Sequence, residues 1–280
     1  MVSLGPFSLS LVVLLVAVAI AALVARIFSP PASAKGALKP ASIIVDMLLV
    51  GVGVARAAFV LAWWPQYVAD PWTILRIGDG GFLVWAGVLA GLAFGAWRAH
   101  KQPGLRRPLL AGTTAGLASW AVLGGALLLM QQSTLRLPAA ELGTMDGGST
   151  RLSAMTGKPM VLNLWATWCG PCRREMPVLA KAQALRDDVN FVFANQGESG
   201  AQIRDYLSAS RLPLDNVLMD PASAVSQHVG SRGLPTTLFF DAEGRLVDTH
   251  VGELSEAGLA AKLRRFGPAP SVMASAASRE

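Results

Sequence analysis

The chain has 280 residues, of which 52% are apolar and only 15% charged, against about 25% charged in soluble globular proteins. Its mean hydropathy of +0.45 points part of it toward a bilayer and excludes intrinsic disorder or a collagen-like repeat. Two cysteines can neither staple a chain of this length nor build a four-sulfur metal site. Residues 1–134 hold nine Lys/Arg against three Asp/Glu, and residues 135–280 hold fifteen of each. The formal +6 therefore belongs wholly to the first half. Those basic residues lie between apolar runs and form no stripe, which argues for loops flanking membrane spans and against nucleic acid.

Four apolar stretches predict helical spans at about 7–28, 42–64, 81–97 and 109–130, near the length of about 20 residues that crosses a hydrocarbon core. Ala32-Ser33-Ala34 has the form of a signal-cleavage site. No Lys or Arg precedes the first run, however, and the run exceeds a usual signal core, so it is read as a span. Arg26, Lys35 and Lys39 fill the first loop, and Arg98, Lys101, Arg106 and Arg107 the third, while the second has only Arg76. Basic loops stay cytoplasmic, so both termini, and with them the whole C-terminal half, are expected outside. Trp63, Trp64 and Trp72 would mark the outer interface. Asp46 and Arg56 lie inside the second run. Arg56 is either a polar or lipid-headgroup site, or an Arg that snorkels or bonds a neighbouring helix.

The stretch from Asp46 through Gly51-Val-Gly-Val-Ala-Arg56, Tyr67 and Asp70-Pro71 to Ile77-Gly-Asp79-Gly80-Gly81 resembles prolipoprotein diacylglyceryl transferase over roughly residues 3–100. Trp85 stands where that family has a histidine. The resemblance therefore implies a degenerate region kept as a four-helix anchor, with lipid or lipoprotein transfer as the less favoured alternative.

The second half reads differently. Residues 133–158 form a polar connection with a first short strand or two. Met160–Trp165 predicts a buried strand, 171–185 a helix, 190–194 a second strand and 201–210 a second helix. A short strand at 217–219 and a short helix at 222–229 follow. Strands at 237–241 and 245–251 flank the turn Ala242-Glu243-Gly244. Ser255 can cap a last helix that Gly267-Pro268 stops, and residues 268–280 read as a disordered tail. Strands alternating with helices make an α/β domain.

Trp168-Cys169-Gly170-Pro171-Cys172 falls at the junction of the first of these strands with its helix. Cys169 would sit at a helix N-terminus, where unpaired N–H groups favour the thiolate. Pro171 suits the first turn, where its missing N–H costs nothing. Two intervening residues leave Cys172 within reach of Cys169. Zinc would need two further ligands, and only His228 and His250 are available, without finger spacing. A disulfide closing so small a loop removes little chain entropy. Redox chemistry remains.

Leu162-Asn-Leu-Trp-Ala-Thr-Trp-Cys-Gly-Pro-Cys-Arg-Arg-Glu-Met-Pro177, together with Gly233-Leu234-Pro235-Thr236-Thr237, resembles the thioredoxin fold over residues 138–267, and within it the TlpA/ResA-like branch of membrane-tethered disulfide reductases. The expected architecture is thus a multi-span α-helical membrane domain followed by an α/β thioredoxin-like fold domain. The resemblance implies Cys169 as attacking sulfur, Cys172 as resolving sulfur and Pro235 as a cis-proline beside them. Glu175 becomes a proton carrier or, alternatively, a solvated helix charge near Arg173 and Arg174. Trp168, Gly170, Pro171 and the Leu234 backbone would meet substrate. Asn163 stands where cytosolic thioredoxins carry a buried acid, which leaves Glu175 as the obvious carboxylate at the site.

A Gly-Pro spacer of the thioredoxin kind goes with a potential of about −270 mV, some 150 mV or about 7 kcal/mol below a strong oxidase. The expectation is a periplasmic reductase of the bacterial inner membrane, acting on protein thiols and disulfides and contacting membrane lipid. It needs no cofactor or metal and does not bind nucleic acid. The membrane half has no cysteine, so a separate transmembrane thiol donor is implied. Alternatives are a thiol oxidase or isomerase, or a copper-handling protein using both cysteines with Met176 and His228.

Overall fold

The computed structural model describes residues 3–4, 7–29, 39–69, 71–75, 78, 80–131, 136–231 and 233–267. Ala32–Ala34, Lys35, Asp70, Arg76, Ile77, Asp79 and the tail at 268–280 lie outside the described residues. The chain divides into two units, one of Met1–Pro65 and Gly81–Gln132, the other of Gln66–Gly80 and Ser133–Glu280. Residues 66–80 thus group with the second unit, where sequence alone had placed them in the membrane region.

The first unit opens with a minimal antiparallel pair, β1 (Ser3–Leu4) and β2 (Phe7–Ser8). Its four long helices are α1 (Leu9–Ile27), α2 (Pro40–Ala62), α4 (Val84–Lys101) and α5 (Arg106–Gln131). The short α3 (Trp64–Ala69) follows α2 and runs across the boundary between the two units. Among the described residues, only Pro40–Ala62 and Pro103–Leu127 are long and apolar enough to cross a membrane, and Val12–Ile27 is apolar but shorter. Four spans were expected; α4 misses the mark because its last turn carries Arg98, His100 and Lys101.

These helices pair through glycine. A Cβ at Gly87 would lie 2.5 Å from the Gly51 carbonyl oxygen, and one at Gly91 2.9 Å from that of Met47. On the α1–α5 contact, a Cβ at Gly112 would lie 2.7 Å from the Ala21 carbonyl oxygen. Only hydrogen fits, so the backbones close to direct contact. Arg56 donates from Nη1 to the Gly81 carbonyl at 2.9 Å and lies over the Phe82 ring. The acceptor lies in the segment just ahead of α4, not in a helix.

The second unit is built on a seven-stranded sheet in the order β4-β3-β7-β6-β5-β8-β9. Its strands are β3 (Glu141–Thr144), β4 (Ser149–Arg151), β5 (Met160–Trp165), β6 (Asn190–Gln196), β7 (Val217–Asp220), β8 (Thr236–Phe240) and β9 (Leu246–Val251). Helices α6 (Gly170–Leu185), α7 (Gly200–Ser210) and α8 (Ala224–Val229) connect them from β5 onward, and α9 (Glu256–Leu263) closes the chain. β5, β6 and β7 run parallel through the α6 and α7 crossovers, while β3, β8 and β9 are antiparallel to their neighbours. Helix α7 with β7 is the extra unit between the cysteines and Pro235.

All six residues of β5 are buried, as a strand covered on both faces requires. Alternation splits them. Val161 and Trp165 join Met176, Phe191, Phe193, Phe239 and Leu259 in one cluster, with both cysteines. Met160, Leu162 and Leu164 join Val192, Ala194, Val225, Leu238 and Phe240 in the other. Ser255 caps α9 as expected, accepting from the Gly258 N–H at 3.0 Å. The β8–β9 turn is set by Asp241, whose carboxylate accepts from the N–H groups of Glu243 and Arg245.

Candidate active site

Cys169 is the N-cap of α6. Its sulfur accepts from the Cys172 N–H at 3.2 Å, so it lies where the helix exposes unpaired donors. The two cysteines are joined as a disulfide, their Cα atoms 5.2 Å apart. Cys169 is 5% exposed and Cys172 fully buried, so attack from outside can reach only the first sulfur. Around it stand exposed Gly170 and Pro171 and the Trp168 ring, 71% exposed. Trp165, by contrast, is wholly buried against Tyr206.

The Leu234–Pro235 peptide bond is cis. Its loop is held by the Thr236 hydroxyl, which donates to the Gly233 carbonyl at 2.7 Å, and by the Gly252 N–H, which donates to the Pro235 carbonyl at 2.9 Å. Among the described residues, neither the N–H nor the C=O of Leu234 has a hydrogen-bond partner.

Glu175 corrects the solvated-charge alternative. It is fully buried, one helical turn beyond Cys172 and on the same inward side of α6. Its Oε1 accepts from Asn163 Nδ2 at 2.8 Å and its Oε2 from the Leu254 N–H at 3.0 Å. Asn163 Nδ2 also donates to Thr237 Oγ1 at 3.0 Å, its register partner across β5 and β8. Burial pushes the Glu175 carboxyl up to about 7; the bonds from Leu254 and Asn163 pull the other way, and nearby Glu253 adds to the rise. Arg174 turns away from Glu175 and pairs with Glu253 at 2.7 Å.

Sequence reasoning missed a second carboxylate. Glu198, 6% exposed, follows β6. Its Oε2 accepts from the Thr167 N–H at 2.7 Å and from Asn195 Nδ2 at 2.6 Å, while its Oε1 accepts from the Thr167 hydroxyl. With the partners 31 positions apart, no spacing rule could have joined them.

The copper alternative named Met176 and His228 as further ligands. Met176 is buried in the cysteine cluster, whereas exposed His228 lies on α8, whose Val225 and Val229 pack on the opposite face of the sheet. No group of three or more His, Cys, Asp or Glu able to hold a metal occurs among the described residues.

The Redoxin family profile matches residues 132–263. The thioredoxin-like protein YneN of Bacillus subtilis is 33% identical over 138 residues, 47% of this chain and 79% of that one. The thiol:disulfide interchange protein DsbE of Pseudomonas fluorescens biotype C is 34% identical, over 42% of this chain and 66% of its own. The thiol-disulfide oxidoreductase ResA of Halalkalibacterium halodurans is 30% identical, over 41% and 66%. The likeness of residues 3–100 to diacylglyceryl transferases finds no support in these comparisons. A disulfide at a helix N-terminus and a cis-proline loop, backed by this kinship, define the C-terminal half: the chain belongs to the Redoxin family of thioredoxin-fold thiol-disulfide oxidoreductases.

Proposed function

We propose that the protein is a membrane-anchored disulfide reductase on the periplasmic side of a bacterial inner membrane. The observation that carries this reading is the Cys169–Cys172 pair at the N-terminus of α6, with the buried Glu175 carboxyl one turn beyond Cys172 and pushed up to about 7 by burial. A group with that affinity can take up and return a proton at working pH. In the reduced protein, the Cys169 thiolate attacks one sulfur of a substrate disulfide; that bond breaks, and the second substrate sulfur leaves and is protonated. Cys172 then passes its proton to Glu175 and attacks the Cys169 sulfur, releasing the first substrate sulfur. Two electrons have moved to the substrate, and the Cys169–Cys172 disulfide remains.

Trp168, Gly170 and Pro171 form the surface a substrate chain would meet, and the unpaired Leu234 backbone could pair with an extended segment of it. Pro235, without an N–H, leaves the sulfur face open. Recharging requires a separate transmembrane thiol donor, since residues 1–134 contain no cysteine. The apolar helices serve as anchor, up to four spans with both termini outside, in contact with lipid. Support for an anchor comes from the glycine-mediated helix pairs and from the bond of Arg56 to Gly81, which gives that arginine a structural task. Arg56→Ala should accordingly leave lipoprotein modification unaffected.

The test is the steady-state redox state of the two cysteines in intact cells, by acid quench and thiol alkylation. A mostly reduced pair is the expected result. A mostly oxidised pair would overturn the direction and favour an oxidase or isomerase.

A further inference from the structure

We infer that Glu198 is a positioning residue for the attacking cysteine, acting through Thr167. This deepens the reading above and rests on Cys169 being the nucleophile. Between the end of β5 at Trp165 and the cap of α6 at Cys169 lie only Ala166, Thr167 and Trp168. One backbone bond within this turn joins the Cys169 N–H to the Ala166 carbonyl at 3.2 Å. The other tie comes from outside. Both donors of Thr167, its N–H and its hydroxyl, enter the Glu198 carboxylate.

Glu198 is itself held. Asn195, at the end of β6 and in register with Trp165 of β5, donates to the oxygen that accepts from the Thr167 N–H. Immediately afterwards, Ser199 starts α7 with a capping box closed by Gln202. The carboxylate thus stands on a strand end and a helix start, and it reaches the neighbouring strand's turn two residues before the nucleophile. No Lys or Arg pairs with it among the described residues. Its three hydrogen-bond donors among the described residues are all neutral. A buried carboxylate is costly unless such bonds satisfy it, so this one is kept for what it holds.

What it holds is the direction of Trp168 and of the Cys169 sulfur. Attack on a disulfide needs the incoming sulfur aligned with the bond it breaks, and misplacement by about 1 Å can cost as much as 100-fold. The helix dipole that favours the thiolate belongs to α6 and is independent of Glu198. Loss of the clamp should therefore slow attack while leaving the dithiol–disulfide equilibrium nearly in place.

The experiment uses the full chain in detergent, reduced, desalted and mixed with oxidised glutathione. The rate constant of the reaction is read by stopped flow, and the equilibrium constant in glutathione buffers by alkylation. Glu198→Gln keeps the size but turns an amide N–H₂ toward donors. It should lower the rate constant at least tenfold and change the equilibrium constant less than threefold. Thr167→Val should also slow the reaction, Thr167→Ser should restore it, and Glu198→Gln with Thr167→Val together should be no slower than the worse single change, the sign of one shared contact.

A Glu198→Gln rate within twofold of the parent overturns the inference. So does a rate loss matched by the equilibrium constant, which would make the effect one of charge on the sulfur. If Glu198→Gln does not fold, the Thr167 pair decides: slow Val with parent-like Ser supports positioning, and any other result refutes it. Cys169→Ser separates the two levels, because a Cys169→Ser protein that still reacts would remove the nucleophile assignment itself.

Discussion

Glu175→Gln tests the buried carboxyl through stability, with no substrate involved. The group titrates near 7 in the folded chain against an ordinary value of 4.5. At about 1.4 kcal/mol for each tenfold change in proton affinity, that difference is worth about 3 kcal/mol. Between these two values the folded state holds a proton that the unfolded state has released. Stability contributed by Glu175 is thus fully present below about pH 4.5, falls as pH rises, and is lost above about 7. Glutamine removes the titration and can be housed. Among the described residues Asn163 Oδ1 has no hydrogen-bond partner, so rotating that amide by half a turn presents an acceptor to the new N–H₂, and Thr237 can donate in its place. The Leu254 N–H keeps an oxygen.

The assay is urea unfolding of the oxidised soluble segment, residues 136–267, from pH 4.5 to 8.5, comparing parent with variant. Parent and Glu175→Gln should be nearly equal at pH 4.5, and the variant should lead by about 2–3 kcal/mol at pH 8. A difference that stays constant across this range, or that grows toward acid, would refute both the buried-proton account and the role given to Glu175 in exchange.

Other expectations follow from the same geometry. Cys172→Ser should accumulate a mixed disulfide with substrate through Cys169, visible on non-reducing gels, whereas Cys169→Ser should trap none because the remaining sulfur is buried. Trp168→Ala should alter unfolding free energy by no more than about 0.5 kcal/mol, as exposed substitutions do, yet slow reduction of a protein disulfide more than that of oxidised glutathione. In the first unit, Gly87→Leu drives a side chain into the Gly51 carbonyl and should lower the thermal transition in detergent. Gly124→Ala, at a position with open space around it, should leave that transition unchanged.

Local pattern carried most of the soluble fold. The run Met160–Trp165 ends as a strand at the residues its composition marks, because a strand buried on both faces leaves no polar interruption except Asn163. The Ser255 cap and the Asp241–Arg245 turn are short-range chemistry, readable within five residues. The site divides along the same line. Cys169, Pro171 and Cys172 declare themselves by spacing, but the fate of Glu175 depends on Leu254, 79 residues away, whose N–H no local rule places. Glu198 is the extreme case, its meaning supplied wholly by a partner across β5 and β6. In the first unit, the apolar runs located the helices, yet the four-residue glycine rhythm at Gly87, Gly91 and Gly95 gained its meaning only when Met47 and Gly51 were found opposite.

The two faces of the central sheet show how the chain concentrates its chemistry. Away from α6, the inward residues of β5, β6 and β8 are apolar for most of their length, namely Met160, Leu162, Leu164, Val192, Ala194, Leu238 and Phe240, with buried Gln196 and Thr236 as the polar residues at one end. Toward α6, each strand substitutes one polar residue: Asn163 in β5, Asn195 in β6 and Thr237 in β8. Because β8 runs antiparallel to β5, Thr237 near its start and Asn195 near the end of β6 fall at one end of the sheet, the end from which α6 departs. That is where open α/β sheets place their sites, at the carboxyl ends of parallel strands. Buried amides and hydroxyls cost stability unless bonded, and here each one bonds a carboxylate or the next amide in line. Asn163 and Thr237 lead to Glu175 and the resolving sulfur; Asn195 leads to Glu198 and the turn of the attacking sulfur. On the proposed mechanism, the same polar end of the sheet serves the two cysteines by separate routes, one through a proton and one through position.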